Sequence, residues 1–288
     1  MKKVAILGCE NSHADAFLDI VINKKLYDDI DFVGVYSDDR EAAEKLHEKY
    51  GVRVMEKADE LVGELDGLII TARHGGKHHP YAKPYISSGI PMFIDKPITI
   101  TEEDGIAFMH ELKENGVRIC GGSSCPHAKL VRELQAMRDS GEFGKVTGGI
   151  VRAPVSMENP HGGWFFYAQH LTEVMCDLFG YYPVSVQAFT NGNVYNFVVR
   201  YADYDVWVNF IEGNYVYAAG VSFDKKFIAD EFTLDGCYES EFAHFHEILV
   251  GGESEKNYRD FIAPVFILNA MIESIRTGVE VKVRAVGE

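Results

Sequence analysis

The first 122 residues alternate short, almost wholly apolar runs with stretches of helical spacing, and that alternation leaves few folds open. Residues 4–7, 31–36, 67–71, 91–94 and 117–120 read as strands. Between them, a polar break at Gly8–Ser12 leads into Phe17, Ile20 and Val21 at helical spacing. A charged helix follows at about 39–50, another ends near Gly89, and a fourth covers about 102–115. Strands apolar on both faces belong to a parallel sheet covered on both sides, and right-handed crossovers make that sheet doubly wound. The expected first domain, residues 1–122, is a Rossmann-like α/β fold built to hold a dinucleotide.

Beyond residue 122 the pattern changes. A helix over 127–139 closes at Ser140-Gly141, a strand follows at 145–151, then a Pro/Gly-rich stretch at 153–163 and an apolar helix at 164–179. Strand candidates at 184–189, 196–201, 206–211, 217–223 and 228–234 are separated by turn residues such as Asn191-Gly192 and Glu212-Gly213. Two helices, near 239–249 and 257–276, close the chain. Residues 123–288 are therefore expected to form an α+β domain with a meandering, mainly antiparallel open sheet. A chain of 288 residues suits two domains at roughly 100–200 residues each.

The formal net charge of −16 argues against nucleic acid or an anionic membrane as partner, since both require basic patches. Only four apolar residues separate Lys3 from Gly8, too few for a signal-peptide core, and no run of about 18 apolar residues occurs. The five cysteines are scattered without a CxxC pair. Reduced thiols and a cytoplasmic location are the expectation.

In a Rossmann-like domain the first strand-to-helix turn receives the pyrophosphate on helix N-terminal amides. The usual G-x-G-x-x-G reads here Gly8-Cys9-Glu10-Asn11-Ser12-His13. Glu10 stands where a glycine lets backbone approach the phosphates, and His13 where a glycine lets the helix pack closely on the strand. Asn11 and Ser12 are suited to cap the helix. Strand two ends Tyr36-Ser37-Asp38-Asp39-Arg40. Ser37 holds the position expected of the ribose-binding acid, Asp38 adjoins it, and Arg40 suits a 2′-phosphate, so NAD and NADP both stay open.

Two later segments carry a family resemblance: Ile94-Asp95-Lys96-Pro97-Ile98-Thr99 after an apolar strand, and residues 162–173, from Gly162-Gly163-Trp164 through His170 to Glu173. With the N-terminal strand and loop, Thr71 ahead of a His-bearing loop and helix, and Ser140-Gly141-Glu142-Phe143-Gly144, the chain resembles the glucose–fructose oxidoreductase / inositol dehydrogenase (Gfo/Idh/MocA) family over nearly its whole length. The resemblance implies an NAD(P)-dependent oxidoreductase that exchanges a hydride with a hydroxyl carbon of a sugar, polyol or related small molecule. It also implies a homodimer or homotetramer joined through the second-domain sheet.

By that resemblance Lys96 lies near the nicotinamide and the reacting hydroxyl, where apolar walls and a cationic ring favour proton relay near neutral pH. His170 fits the family's acid/base histidine, but Phe166 stands where a carboxylate partner is common, and Phe166 cannot fix the imidazole tautomer. Tyr167, one turn before, is a candidate hydrogen-bond donor in its place, and His161 a candidate proton carrier or substrate ligand. The implied cofactor residues are Gly8, Glu10, Asn11, Ser12, Ser37, Asp38, Thr71, His74, His78, Asp95, Lys96 and Pro97. Trp164 and Tyr167 are candidates to stack on a sugar ring.

Two other readings start from the altered positions Glu10, His13 and Phe166. One is a regulatory relative that has lost dinucleotide binding; the other is a lyase or glycoside hydrolase that uses the nicotinamide transiently. No metal is expected: His78 and His79 are adjacent and point apart, no acid lies in their loop, and His244 and His246 face different sides of a helix. In that helix Phe242, Phe245 and Leu249 keep core spacing.

Overall fold

The computed structural model describes residues 1–287. Its first sheet has five parallel strands in the order β2-β1-β3-β4-β5. These are β1 (Lys2–Leu7), β2 (Ile30–Tyr36), β3 (Gly67–Ile70), β4 (Met92–Asp95) and β5 (Ile119–Gly122). The connecting helices are α1 (Ser12–Leu18), α2 (Arg40–Tyr50), α3 (His78–Ile86) and α4 (Glu102–Glu114). β3 and β4 are buried at every position, as the apolar runs require of strands covered on both faces. Helix starts follow local chemistry. The Asp39 carboxylate accepts from the Ala42 amide at the head of α2, and Thr101 does the same for Asp104 in α4, whose first turn is acidic.

The second sheet has seven strands in the order β11-β10-β6-β9-β8-β7-β12. They are β6 (Val146–Val155), β7 (Ser185–Asn191), β8 (Val194–Arg200), β9 (Asp205–Glu212), β10 (Tyr217–Phe223), β11 (Phe227–Phe232) and β12 (Val281–Lys282). α5 (Lys129–Ser140), α6 (Trp164–Phe179) and most of α8 (Tyr258–Thr277) belong to the same unit. The sheet is not a simple meander. β9 and β10 are not neighbours, because β6 lies between them, parallel to β9 and antiparallel to β10. α6 supplies much of the core beneath, and its Phe179 packs so closely on β6 that a Cβ at Gly149 would stand 2.1 Å from the ring.

Two compact units emerge, Met1–Gly122 with Tyr238–Tyr258, and Ser123–Cys237 with the chain from Arg259 onward. A single cut at residue 122 would place 238–258 in the second domain, whereas the structure returns it to the first. The cause is α7 (Cys237–Leu249), whose Phe242, Phe245, Ile248 and Leu249 join the core formed by Phe17, Phe93 and Val4. All five cysteines are free and buried. Among the described residues no helix is long and apolar enough to cross a membrane.

Candidate functional site

In the order β2-β1-β3, successive strands are added on opposite sides of β1, so the carboxyl ends of β1 and β3 form the topological switch point where ligands bind open α/β sheets. Gly8, Thr71 and Asp95-Lys96-Pro97 follow or close the neighbouring strands β1, β3 and β4 at this end. Gly8 has φ +92°, and a Cβ on it would stand 2.2 Å from the Ala72 nitrogen. Only glycine permits this turn to approach the β3 loop so closely. Thr71 Oγ1 donates to the Gly8 carbonyl at 2.5 Å and ties the two loops together. Glu10 does not aim its carboxylate along the axis of α1: Oε2 accepts from Ser37 Oγ (2.7 Å) and Oε1 from the Arg73 amide (3.2 Å).

Asn11 holds the N-cap position of α1 without a side-chain cap bond, contrary to the expected capping. Its amide donates instead to Asp95 Oδ2 at the end of β4. Ser12 is exposed and bonds Asn11 Oδ1 and the Tyr238 hydroxyl. These bonds leave the first turn of α1 uncapped by its own side chains. With Gly8 intact and the Glu10 carboxylate drawn off toward β2, the loop fits a dinucleotide.

Asp95 is fully buried and accepts the Lys96 amide at 2.6 Å. His13 lies 3.2 Å from Asp95 Oδ2 through Nδ1 and 3.2 Å from Glu241 Oε2 through Nε2, and all three side chains are sealed from solvent. Burial pushes the Asp95 carboxyl up and the His13 imidazole down, each toward its neutral form. The histidine at the third glycine position is thus a strut between the β4 end and α7. Lys96 is only 3% exposed, and its charge is felt at His13, Asp95 and His78. Pro97 follows it through a cis peptide bond.

The remaining cofactor candidates divide. Asp38 is exposed and engaged by Lys77 (2.7 Å) and the Tyr36 hydroxyl (3.1 Å), contacts that hold its carboxyl below the usual range. His74 caps a short 3₁₀ turn by accepting from the Gly76 amide. His78 is wholly buried, with Nε2 2.7 Å from the Ala72 carbonyl and Nδ1 3.2 Å from that of Ile98. Both nitrogens face backbone, so His78 braces the β3 loop rather than presenting itself to a ligand. His79 pairs with Asp104 and Glu111 of α4, which raise its pKa. Among the described residues no group of three or more His, Cys, Asp or Glu side chains is arranged to hold a metal ion.

In the second unit, His170 sits in the second turn of α6, 8% exposed. Its Nδ1 lies 2.7 Å from Ser123 Oγ and 3.5 Å from Cys125 Sγ. Ser123 Oγ also accepts the Cys125 amide, at 3.1 Å. A hydroxyl, not a carboxylate, is thus the partner of Nδ1, and Phe166 packs against His161 and Tyr167. The ring of Tyr167 is 6.2 Å from that of His170. Trp164 is only 3% exposed and packs on Phe197 and Phe210, which removes it as a sugar-stacking surface. Buried Glu173 accepts from Gln169 at 2.7 Å.

Sequence reasoning missed Ser123 and Glu241. The signal for Ser123 was its place just after Gly121-Gly122 at the end of β5; Glu241 lies in a helix that no local pattern assigns to the first unit.

Residues 2–123 match the model of an oxidoreductase family with an NAD-binding Rossmann fold. The family so matched is GFO/IDH/MocA. A glucose-6-phosphate 3-dehydrogenase of Bacillus subtilis is 26% identical over 149 residues, covering 51% of this chain and 40% of the relative's length. Among solved structures, myo-inositol 2-dehydrogenase of Lactobacillus plantarum superposes with a TM-score of 0.86 at 14% identity, covering 98% of this chain and 99% of that one. GenD2 from gentamicin A biosynthesis, in complex with NAD, superposes with a TM-score of 0.83 at 16% identity, covering 99% and 97%. The fold shared with these structures extends over both units.

Proposed function

We propose that this chain is an NAD(P)-dependent oxidoreductase acting on a CH–OH group of a sugar, polyol or related small molecule. The carrying observation is Lys96, a buried lysine in Asp95-Lys96-Pro97 at the carboxyl end of β4, inside a segment that matches an NAD-binding oxidoreductase family. The named relatives, an inositol dehydrogenase and a sugar-phosphate dehydrogenase, support the substrate class.

In this reading the first unit binds the dinucleotide through Gly8, Glu10, Asn11 and Thr71, and the second binds substrate. A bound nicotinamide supplies the hydride chemistry. Lys96 Nζ exchanges the proton of the reacting hydroxyl, and Asp95, fixed by Asn11 and His13, holds the backbone that carries it. His170, held through Nδ1 by the Ser123 hydroxyl, is the second proton carrier. His161 and Tyr167, both half-buried, are the candidate contacts to substrate hydroxyls.

The enzyme acts in the cytoplasm, in keeping with five unbridged cysteines, and as a homo-oligomer. The test is hydride exchange between nicotinamide and a panel of inositols, sugars and sugar phosphates. Lys96→Met should abolish turnover while leaving cofactor affinity within a few fold. Retained turnover in Lys96→Met would remove its assigned role, and turnover without net reduction would favour the transient use of nicotinamide.

A further inference from the structure

We propose that Glu10 is the ribose-recognising acid of this domain and that it selects NAD over NADP; this rests on the dinucleotide-binding reading above. In dinucleotide domains the adenosine ribose is held by a carboxylate at the end of the second strand. Here that position is Ser37, whose buried hydroxyl donates to Glu10 Oε2 (2.7 Å) and accepts from the Asp39 amide (3.2 Å). The acid has not been lost; it arrives from the other side of the crevice. Glu10 springs from the loop after β1, and its carboxylate is clamped between the tip of β2 through Ser37 and the loop after β3 through the Arg73 amide. Two donors fix its orientation, and a carboxylate with about four acceptor sites retains capacity for the hydroxyls of a diol.

The surrounding charges set the selectivity. A 2′-phosphate would add negative charge beside Glu10 and Asp38. Two cations near the tip of β2 are already paired, Lys77 with Asp38 at 2.7 Å and Arg40 with Glu44 at 3.2 Å and Glu56 at 3.0 Å, while Arg73 meets Glu10 through its amide. A free ribose diol finds a fixed acceptor, whereas a phosphorylated one finds a carboxylate where it needs a cation. The same geometry explains why a carboxylate is tolerated at a glycine position of the phosphate loop: it is turned toward β2.

Calorimetric titration of the full-length protein with NADH and NADPH tests this. NADH is expected to bind at least about tenfold more tightly than NADPH, the scale of one charge-assisted hydrogen bond. In Glu10→Gln, NADH should weaken by about tenfold and the preference should collapse toward parity. The wild-type ratio stands as a readout even if the variant folds poorly, and 5′-AMP against 2′,5′-ADP repeats it on the adenosine half alone. Equal binding, tighter NADPH, or a ratio unchanged in a folded Glu10→Gln variant would overturn the assignment while leaving dinucleotide binding intact. Binding of neither dinucleotide would overturn both.

Discussion

His78 shows how a residue that reads as a ligand becomes a brace. Both ring nitrogens face backbone carbonyls, and burial pulls the imidazole down to about 4, so at neutral pH it holds one proton and donates it to the nearer acceptor, the Ala72 carbonyl. The unfolded chain has an ordinary imidazole, near 6.5. The folded state therefore resists a proton that the unfolded state takes up. This contribution to stability is fully present above about 6.5 and is lost as pH falls from there through about 4, by up to about 3 kcal/mol. Urea denaturation at pH 7 and pH 4.5 should show a steeper loss for the wild type than for His78→Gln, which keeps a donor for Ala72; equal slopes would contradict the assignment. Gly8 is legible as the first glycine of the loop after β1, and Lys96 and Thr71 through the family resemblance, each just beyond a strand end. Ser123, Glu241 and the turned carboxylate of Glu10 are not, because each acts through a partner between 27 and 228 residues away.

Most strands and helices of both sheets were legible as elements, since apolar period and turn residues are local properties. Their partners were less so. β6 reads as an ordinary strand, yet it is inserted between β9 and β10, a long-range pairing that no hairpin signal announces. α7 shows core spacing at Phe242, Phe245 and Leu249, but spacing does not say which core receives it. The structure packs Phe242 5.2 Å from Phe17 by ring centroid, with Phe17 in turn 4.9 Å from Phe93 of β4. Phe242 is 0% exposed. Phe242→Ala should cost about 3–5 kcal/mol, the range for emptying a buried aromatic site. Because α7 also carries Glu241, the variant should weaken dinucleotide binding along with stability. A loss under about 1 kcal/mol by chemical denaturation would contradict the packing described.

At the scale of the whole molecule, one face of the second sheet is unusual for a chain with this much surface charge. Across β7, β8, β9, β6 and β10 runs a row formed by Gln187, Val198, Trp207, Ile150 and Gly220, with Trp207 56% and Ile150 40% exposed. In the proposed homo-oligomer, this face is the expected contact between two copies of the chain. Trp207→Arg is expected to shift the oligomer to monomer in analytical ultracentrifugation without unfolding it; an unchanged sedimentation coefficient would place the interface elsewhere. The proposed hydride transfer is tested by incubating the protein with NAD and a deuterium-labelled polyol panel and following label into the reduced nicotinamide. Transfer of deuterium from a CH–OH carbon, lost in Lys96→Met with cofactor binding retained, is the predicted result. Tight dinucleotide binding with no transfer from any sugar or polyol would contradict it.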